Sequence, residues 1–219
     1  MIGNAARHRE AGRNPAGAPE PQTKLSPESR AAPRHALTLR SAKFACGARE
    51  YLCVIRDISA TGVRLRFFHA LPRGGVMALQ MRAGAAQALS LVWNRGMDAG
   101  FRFARPIEPE HFIREDSPLP RRPLRFGVSL QATLLSQGEQ IVAELCDLSL
   151  QGAGLICGTH LAQGQAVLLE TPYTPIVTAR VRWRKDDRYG LVLDDTFGMT
   201  ELATIIARHH EDCARAPFA

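Results

Sequence analysis

Between residues 128 and 134 every second residue is apolar: Val128, Leu130, Ala132 and Leu134 alternate with Ser129, Gln131 and Thr133. A period of two is that of a half-buried strand, whose side chains point to opposite faces in turn. After Gly62 the same alternation sets Val63, Leu65 and Phe67 against Arg64, Arg66 and Phe68, with Phe68 breaking it. Short runs follow at 76–81, 87–93 and 99–103, then at 166–170, 176–183 and 189–193, with Gly, Pro and charged residues between them. Several short strands separated by turn signals predict closed antiparallel barrels, since closure leaves no sticky edge. After Gly198 the period changes. Leu202, Ile205, Ile206 and His209 fall at i, i+3, i+4 and i+7, which predicts an amphipathic helix. A shorter helix is expected at 107–114.

The chain repeats itself. At an offset of 90 residues Asp57 meets Asp147, Ser59 meets Ser149, Gly62 meets Gly152, Leu65 meets Leu155, Leu79 meets Leu169, Trp93 meets Trp183 and Gly100 meets Gly190. A period this long, occurring twice, means two copies of a whole small domain; it is too long for a solenoid unit. The copies are placed at 29–114 and 117–212, with 115–120 as the connection between the barrels. A disordered tail is expected at 1–28, where Ala, Pro, Gly and Arg cannot build a core, and a C-terminal tail at 213–219. The N-terminal stretch carries charges but no apolar run, and is expected not to be a secretory signal.

Composition narrows the chemistry. Aliphatic and aromatic residues make up 45 % of the 219 positions, enough to bury a core. Lys+Arg is 28 against 21 for Asp+Glu, a net charge of +7, and only Lys24, Lys43 and Lys185 are lysines. Arginine offers a planar fork of donors suited to phosphates and guanine edges, so this balance hints at a phosphate-bearing partner; a solvated Arg-rich surface would read the same way. Cys46, Cys53, Cys146, Cys157 and Cys213 form no C-x-x-C pair and are expected to be reduced thiols of a cytoplasmic protein. No run approaches 18 consecutive apolar residues, so no membrane span is expected.

Each copy holds Asp-x-Ser-x-x-Gly between two strands, DISATG at 57–62 and DLSLQG at 147–152. Each is preceded by Arg-x-x-x-Arg, RAAPR at 30–34 and RRPLR at 121–125. One Asp-x-Ser-x-x-Gly would occur by chance in roughly 5–10 % of chains this long at ordinary residue frequencies; two in phase with the repeat, each trailing an Arg-x-x-x-Arg, are not accidental. This pattern resembles the PilZ family over about 85 residues of each copy, including the Trp and the Gly seven residues beyond it. The resemblance implies a mainly β chain of two consecutive six-stranded antiparallel barrels, each followed by a short helix, and cyclic di-GMP as ligand. The family's motif arginines fall on Arg30, Arg34, Arg121 and Arg125, with Arg122 completing a paired arginine in copy two. Its turn residues fall on Asp57, Ser59, Gly62, Asp147, Ser149 and Gly152. Copy one has Ala31 where copy two has Arg122, which favours the second site.

These residue types suit that ligand. An Arg fork can grip guanine O6 and N7 bidentately and make charge-assisted bonds to phosphodiesters. The Asp carboxylate can accept from guanine N–H groups. The Ser can serve a phosphate or hold the turn, and the Gly allows a positive φ and a close approach of ligand to backbone. Alone, the motif could be a turn whose Asp and Ser bond local backbone N–H groups. Trp93 and Trp183, following apolar runs, are expected in the core rather than as stacking platforms. GAGLICG at 152–158 has the wrong spacing for a dinucleotide loop, and a strand follows it. His209 and Cys213 share a helix face but lack a third ligand, so no metal is expected. No enzyme signature occurs, and no cofactor is expected. The reading is a non-enzymatic cyclic di-GMP receptor that changes its interdomain arrangement to control a protein partner. A degenerate adaptor acting through protein contacts alone is the alternative. A nucleic-acid binder is disfavoured because aromatics are only 6 % and do not interleave with the arginines.

Overall fold

The computed structural model describes residues 35–81, 85–110 and 123–215. Arg30, Arg34, Arg121 and Arg122 lie outside them, as do the expected tail at 1–28 and the 115–120 connection. Of the helix expected at 107–114, residues 109 and 110 are helical, 107 and 108 are not, and 111–114 lie outside the described residues.

Barrel one consists of β1 (His35–Cys46), β2 (Arg49–Ile58), β3 (Gly62–Arg66), β4 (Met77–Gln80), β5 (Gln87–Arg95) and β6 (Asp98–Phe103). They close in the order β1-β2-β3-β6-β5-β4, every pair antiparallel. Barrel two repeats this order with β7 (Phe126–Ser136), β8 (Glu139–Leu148), β9 (Gly152–Ile156), β10 (Ala166–Thr171), β11 (Thr174–Lys185) and β12 (Arg188–Leu193). Alternation does the work: along β7 Phe126, Val128, Leu130, Ala132 and Leu134 are buried while the residues between them face outward. The β7–β8 turn puts Gln137 and Gly138 at φ of 52° and 84°. Successive positive φ values match the right-handed twist of a tight hairpin.

Bulges break the alternation at corresponding places in the two barrels. The register of β2 against β3 shifts between Ile55 and Asp57, and that of β8 against β9 between Leu145 and Asp147. Ile141, Ala143 and Leu145 point inward. An unbroken strand would therefore aim Asp147 inward too; the extra residue turns it outward. A second pair of bulges, Leu91 to Trp93 and Val181 to Trp183, corrects the core placement expected for the tryptophans. Trp183 is 43 % exposed and Trp93 half-buried. Each lies on the outer surface over the glycine paired with it, Gly100 or Gly190, where any Cβ would strike the indole.

The helix Met199–Arg215 closes the structure. The Glu201 carboxylate accepts the Gly198 N–H at 3.3 Å, which satisfies one of the free donors at the helix start. Leu202, Ile205 and Ile206 are buried in one cluster with Phe126 and Val128 of barrel two, and Leu52 of barrel one belongs to the same cluster. β2 is therefore covered on both faces: Tyr51, Leu52, Cys53, Val54 and Ile55 are all buried. Phe68, the residue that spoiled the alternation of 63–68, packs against this shared cluster as well. Burying one such side chain contributes about 1.5–3 kcal/mol. Polar contacts frame the seam. Glu50 takes the Lys43 ammonium on Oε1 at 2.8 Å and the Gly127 N–H on Oε2 at 3.0 Å, while the His210 ring meets the Glu50 carbonyl at 2.9 Å.

Candidate functional site

In barrel two the motif turn joins β8 to β9. The Ser149 N–H donates to the Gly152 carbonyl at 2.9 Å, and the Ser149 hydroxyl to the same oxygen at 3.0 Å. Ser149 is completely buried, so its hydroxyl holds the turn. Ser59 does the same in barrel one, bonding the Gly62 carbonyl and accepting the Gly62 N–H, each at 3.2 Å. Neither Gly62 nor Gly152 has a positive φ. The glycine is needed for another reason: a Cβ at 62 would lie 2.8 Å from the Phe101 carbonyl oxygen, and one at 152 would strike that of Leu191. The close approach is to the neighbouring strand, and it corrects the positive φ expected from the sequence.

Asp147, aimed outward by its bulge, receives the Arg125 guanidinium at 2.5 Å. The two side chains are 32 % and 41 % exposed, so both can reach a ligand from solvent. Asp147 stands between two glycines, Gly127 on β7 and Gly154 on β9, which are its cross-strand partners. Its carboxylate lies against Gly154, where any Cβ would run into it. Sequence reasoning passed over Gly154; the signal was the second glycine of GAG at 152–154, set aside when the dinucleotide-loop reading failed. It also missed Glu50, which reaches from barrel one to the Gly127 N–H, two residues beyond Arg125. Cys146, beside Asp147, has its thiol pKa raised by burial, and nearby Glu144 adds to the effect.

Barrel one differs. Asp57 is opposed by Ala36 and Arg64 in place of the two glycines. Arg64 and Arg66 share the Asp98 carboxylate at 3.4 and 3.5 Å. Among the described residues no group of three or more His, Cys, Asp or Glu could hold a metal ion. Nor is any described helix long and apolar enough to cross a membrane.

Two barrels with matching bulges, each with the Asp-Ser-Gly turn on one rim, define a tandem repeat of a single domain type. The PilZ domain matches residues 28–115 and again 120–208, and the chain belongs to that family. No curated protein matches it. Among solved structures, the Borreliella burgdorferi PlzA protein in complex with c-di-GMP is 13 % identical, with 77 % of this chain and 87 % of that one covered and a TM-score of 0.34. The Bacillus subtilis inhibitor of motility (MotI/DgrA) is 10 % identical over 81 % and 97 %, with a TM-score of 0.34. Escherichia coli YcgR in complex with c-di-GMP is 13 % identical over 80 % and 85 %, with a TM-score of 0.32. Family membership rests on the two domain matches.

Proposed function

We propose that the chain is a cyclic di-GMP receptor of the bacterial cytoplasm, with no catalytic step, and that its site is built on barrel two. Arg121, Arg122 and Arg125 supply the cations, and Asp147 with the Ser149–Gly152 turn supplies the rigid wall. The observation that carries the reading is the Arg125–Asp147 pair at 2.5 Å, held at the surface by a bulge and a glycine cradle. Family membership supports it, since the resemblance implies this ligand. An arginine fork already oriented by a carboxylate is suited to a guanine edge and a phosphodiester. The carboxylate can accept the guanine N–H donors once the arginine turns to the ligand.

Ligand capture at this site is read out at the seam between the barrels, and through it by a protein partner. Arg125 enters β7 at Phe126, and the next residue, Gly127, donates to Glu50 of barrel one. A ligand that draws Arg125 inward also pulls on this contact. The barrels meet across the buried Leu52, so reorientation has to work against that packing. It occurs only as far as the ligand binds the shifted arrangement more tightly.

Competition binding tests the ligand. Cyclic di-GMP should displace a fluorescent cyclic di-GMP from the full chain far better than cyclic di-AMP, because adenine presents a donor where guanine O6 accepts. Equal displacement by both, or salt-sensitive binding to random DNA of the same strength, would replace this reading with general phosphate binding. Distance labels on the two barrels test the output; a distribution unmoved by saturating ligand would confine the signal to the local surface.

A further inference from the structure

The two copies of the motif match in sequence but not in their surroundings, and the difference falls on the residue facing the aspartate. Asp147 is paired across β9 with Gly154, and Asp57 across β3 with Arg64. These are corresponding positions, 90 residues apart in the chain. The pose of Asp147, flat against Gly154 and gripping Arg125, requires that no Cβ be there. Arg64 carries one. Asp57 therefore cannot lie on its neighbouring strand as Asp147 does. On the other flank Gly127 is answered by Ala36.

The Arg64 side chain also changes what a ligand would meet. Its guanidinium and that of Arg66 converge on Asp98, which faces Arg66 at the end of β3 away from the turn. Barrel two has Gly154, Ile156 and Arg188 at the corresponding places, an open backbone with a cation and no anion. A dianionic ligand approaching barrel one faces a shape already filled, with both local arginines engaged by a carboxylate. Approaching barrel two, it meets bare backbone, Arg125 and a further arginine on the adjacent strand pair.

We infer that Gly154 and Arg64 decide which barrel is a receptor: barrel two takes the dinucleotide, and Arg64 closes the equivalent surface of barrel one. The inference rests on the cyclic di-GMP reading and deepens it. Barrel one then serves as the body that barrel two acts upon, through Glu50 and the helix seam.

Calorimetry with cyclic di-GMP on the full chain tests it, comparing the native protein with Gly154→Arg and Gly154→Ala. The native protein should show one class of sites. In Gly154→Arg all binding should be lost, with the melting transition of the ligand-free protein retained. In Gly154→Ala, where a single methyl displaces the Asp147 carboxylate, the whole of the uptake should weaken several-fold. That variant decides the matter if the arginine variant fails to fold. A residual tight class with half the native stoichiometry in either variant would show that barrel one binds, and would overturn the inference while leaving the receptor reading intact. Native-strength binding in both variants would also overturn it, by removing Gly154 from the site. No binding to the native protein would overturn the receptor reading itself.

Discussion

Replacing Arg125 by Ala separates a binding role from a structural one, because the structure assigns the two roles different magnitudes. Arg125 pairs with Asp147 at 2.5 Å, but the side chains are 41 % and 32 % exposed. Ion pairs so open to solvent contribute about 0–1 kcal/mol. For a chain of this size that corresponds to a melting shift of at most about 2–4 °C. Losing a charge-assisted bond to a bound phosphate or guanine costs about 1.5–3 kcal/mol, and every 1.4 kcal/mol is tenfold in Kd. Cyclic di-GMP affinity should thus fall at least about tenfold, while the ligand-free melting temperature hardly moves. Titration calorimetry and a thermal melt on the same sample give both numbers. A large drop in melting temperature with unchanged affinity would refute the assignment and make the arginine a structural prop of the β7 entry.

Leu52→Ala removes a side chain that is 1 % exposed beneath the C-terminal helix and should destabilise the fold by about 2–5 kcal/mol. Hydrogen exchange should show the helix 199–215 losing protection before the barrel strands; unchanged protection would mean the seam is not held there. Burial lowers the His210 pKa, opposed by its bond to the Glu50 carbonyl and assisted by neighbouring His209 and Arg49. The docked ring is therefore neutral where the unfolded one already binds a proton, so stability should fall as pH drops below the ordinary histidine value of about 6.5. His209 and His69 shift in the same direction, also mainly through burial. Melting curves from pH 8 to 5 should show the decline, and His210→Gln should flatten it; equal slopes in the two proteins would remove His210 as a cause. Trp183→Ala, at an exposed position over Gly190, should cost less stability than Leu52→Ala, and a larger loss in urea titration would contradict its outer-face placement.

The two barrels were legible in the chain because the offset of 90 aligns whole strands, and because alternation survives wherever a strand runs unbroken. Bulges are where that reading failed. One extra residue before Trp183 reverses its face, and nothing in the apolar run 176–183 marks the reversal. The same device aims Asp147 outward. The motif could name it as a ligand group, whereas the strand period alone would have pointed it into the core. The seam left two traces that one-domain logic could not interpret. The run Tyr51–Ile55 has no polar interruption, and Phe68 stands where a polar residue should. The first follows from a third layer, the C-terminal helix, whose partner strand lies some 150 residues earlier in the chain, and the second from the cluster that this helix shares with both barrels. Arg64 and Gly154 were visible side by side in the repeat. Their importance depends on the register that sets each against an aspartate, and only the folded sheet supplies that.

The central claim is that cyclic di-GMP binds at the Arg125–Asp147 rim of barrel two, and amide chemical-shift mapping of the isotope-labelled full chain tests it most directly. Gly127, Gly152 and Gly154 surround Asp147 and its turn, and glycine amides resonate in an uncrowded region. Saturating cyclic di-GMP should move these three signals most, with a smaller response at Glu50 across the seam and little at Gly62 or Gly100 of barrel one. Shifts absent from Gly127, Gly152 and Gly154, or centred instead on the glycines of barrel one, would contradict the account.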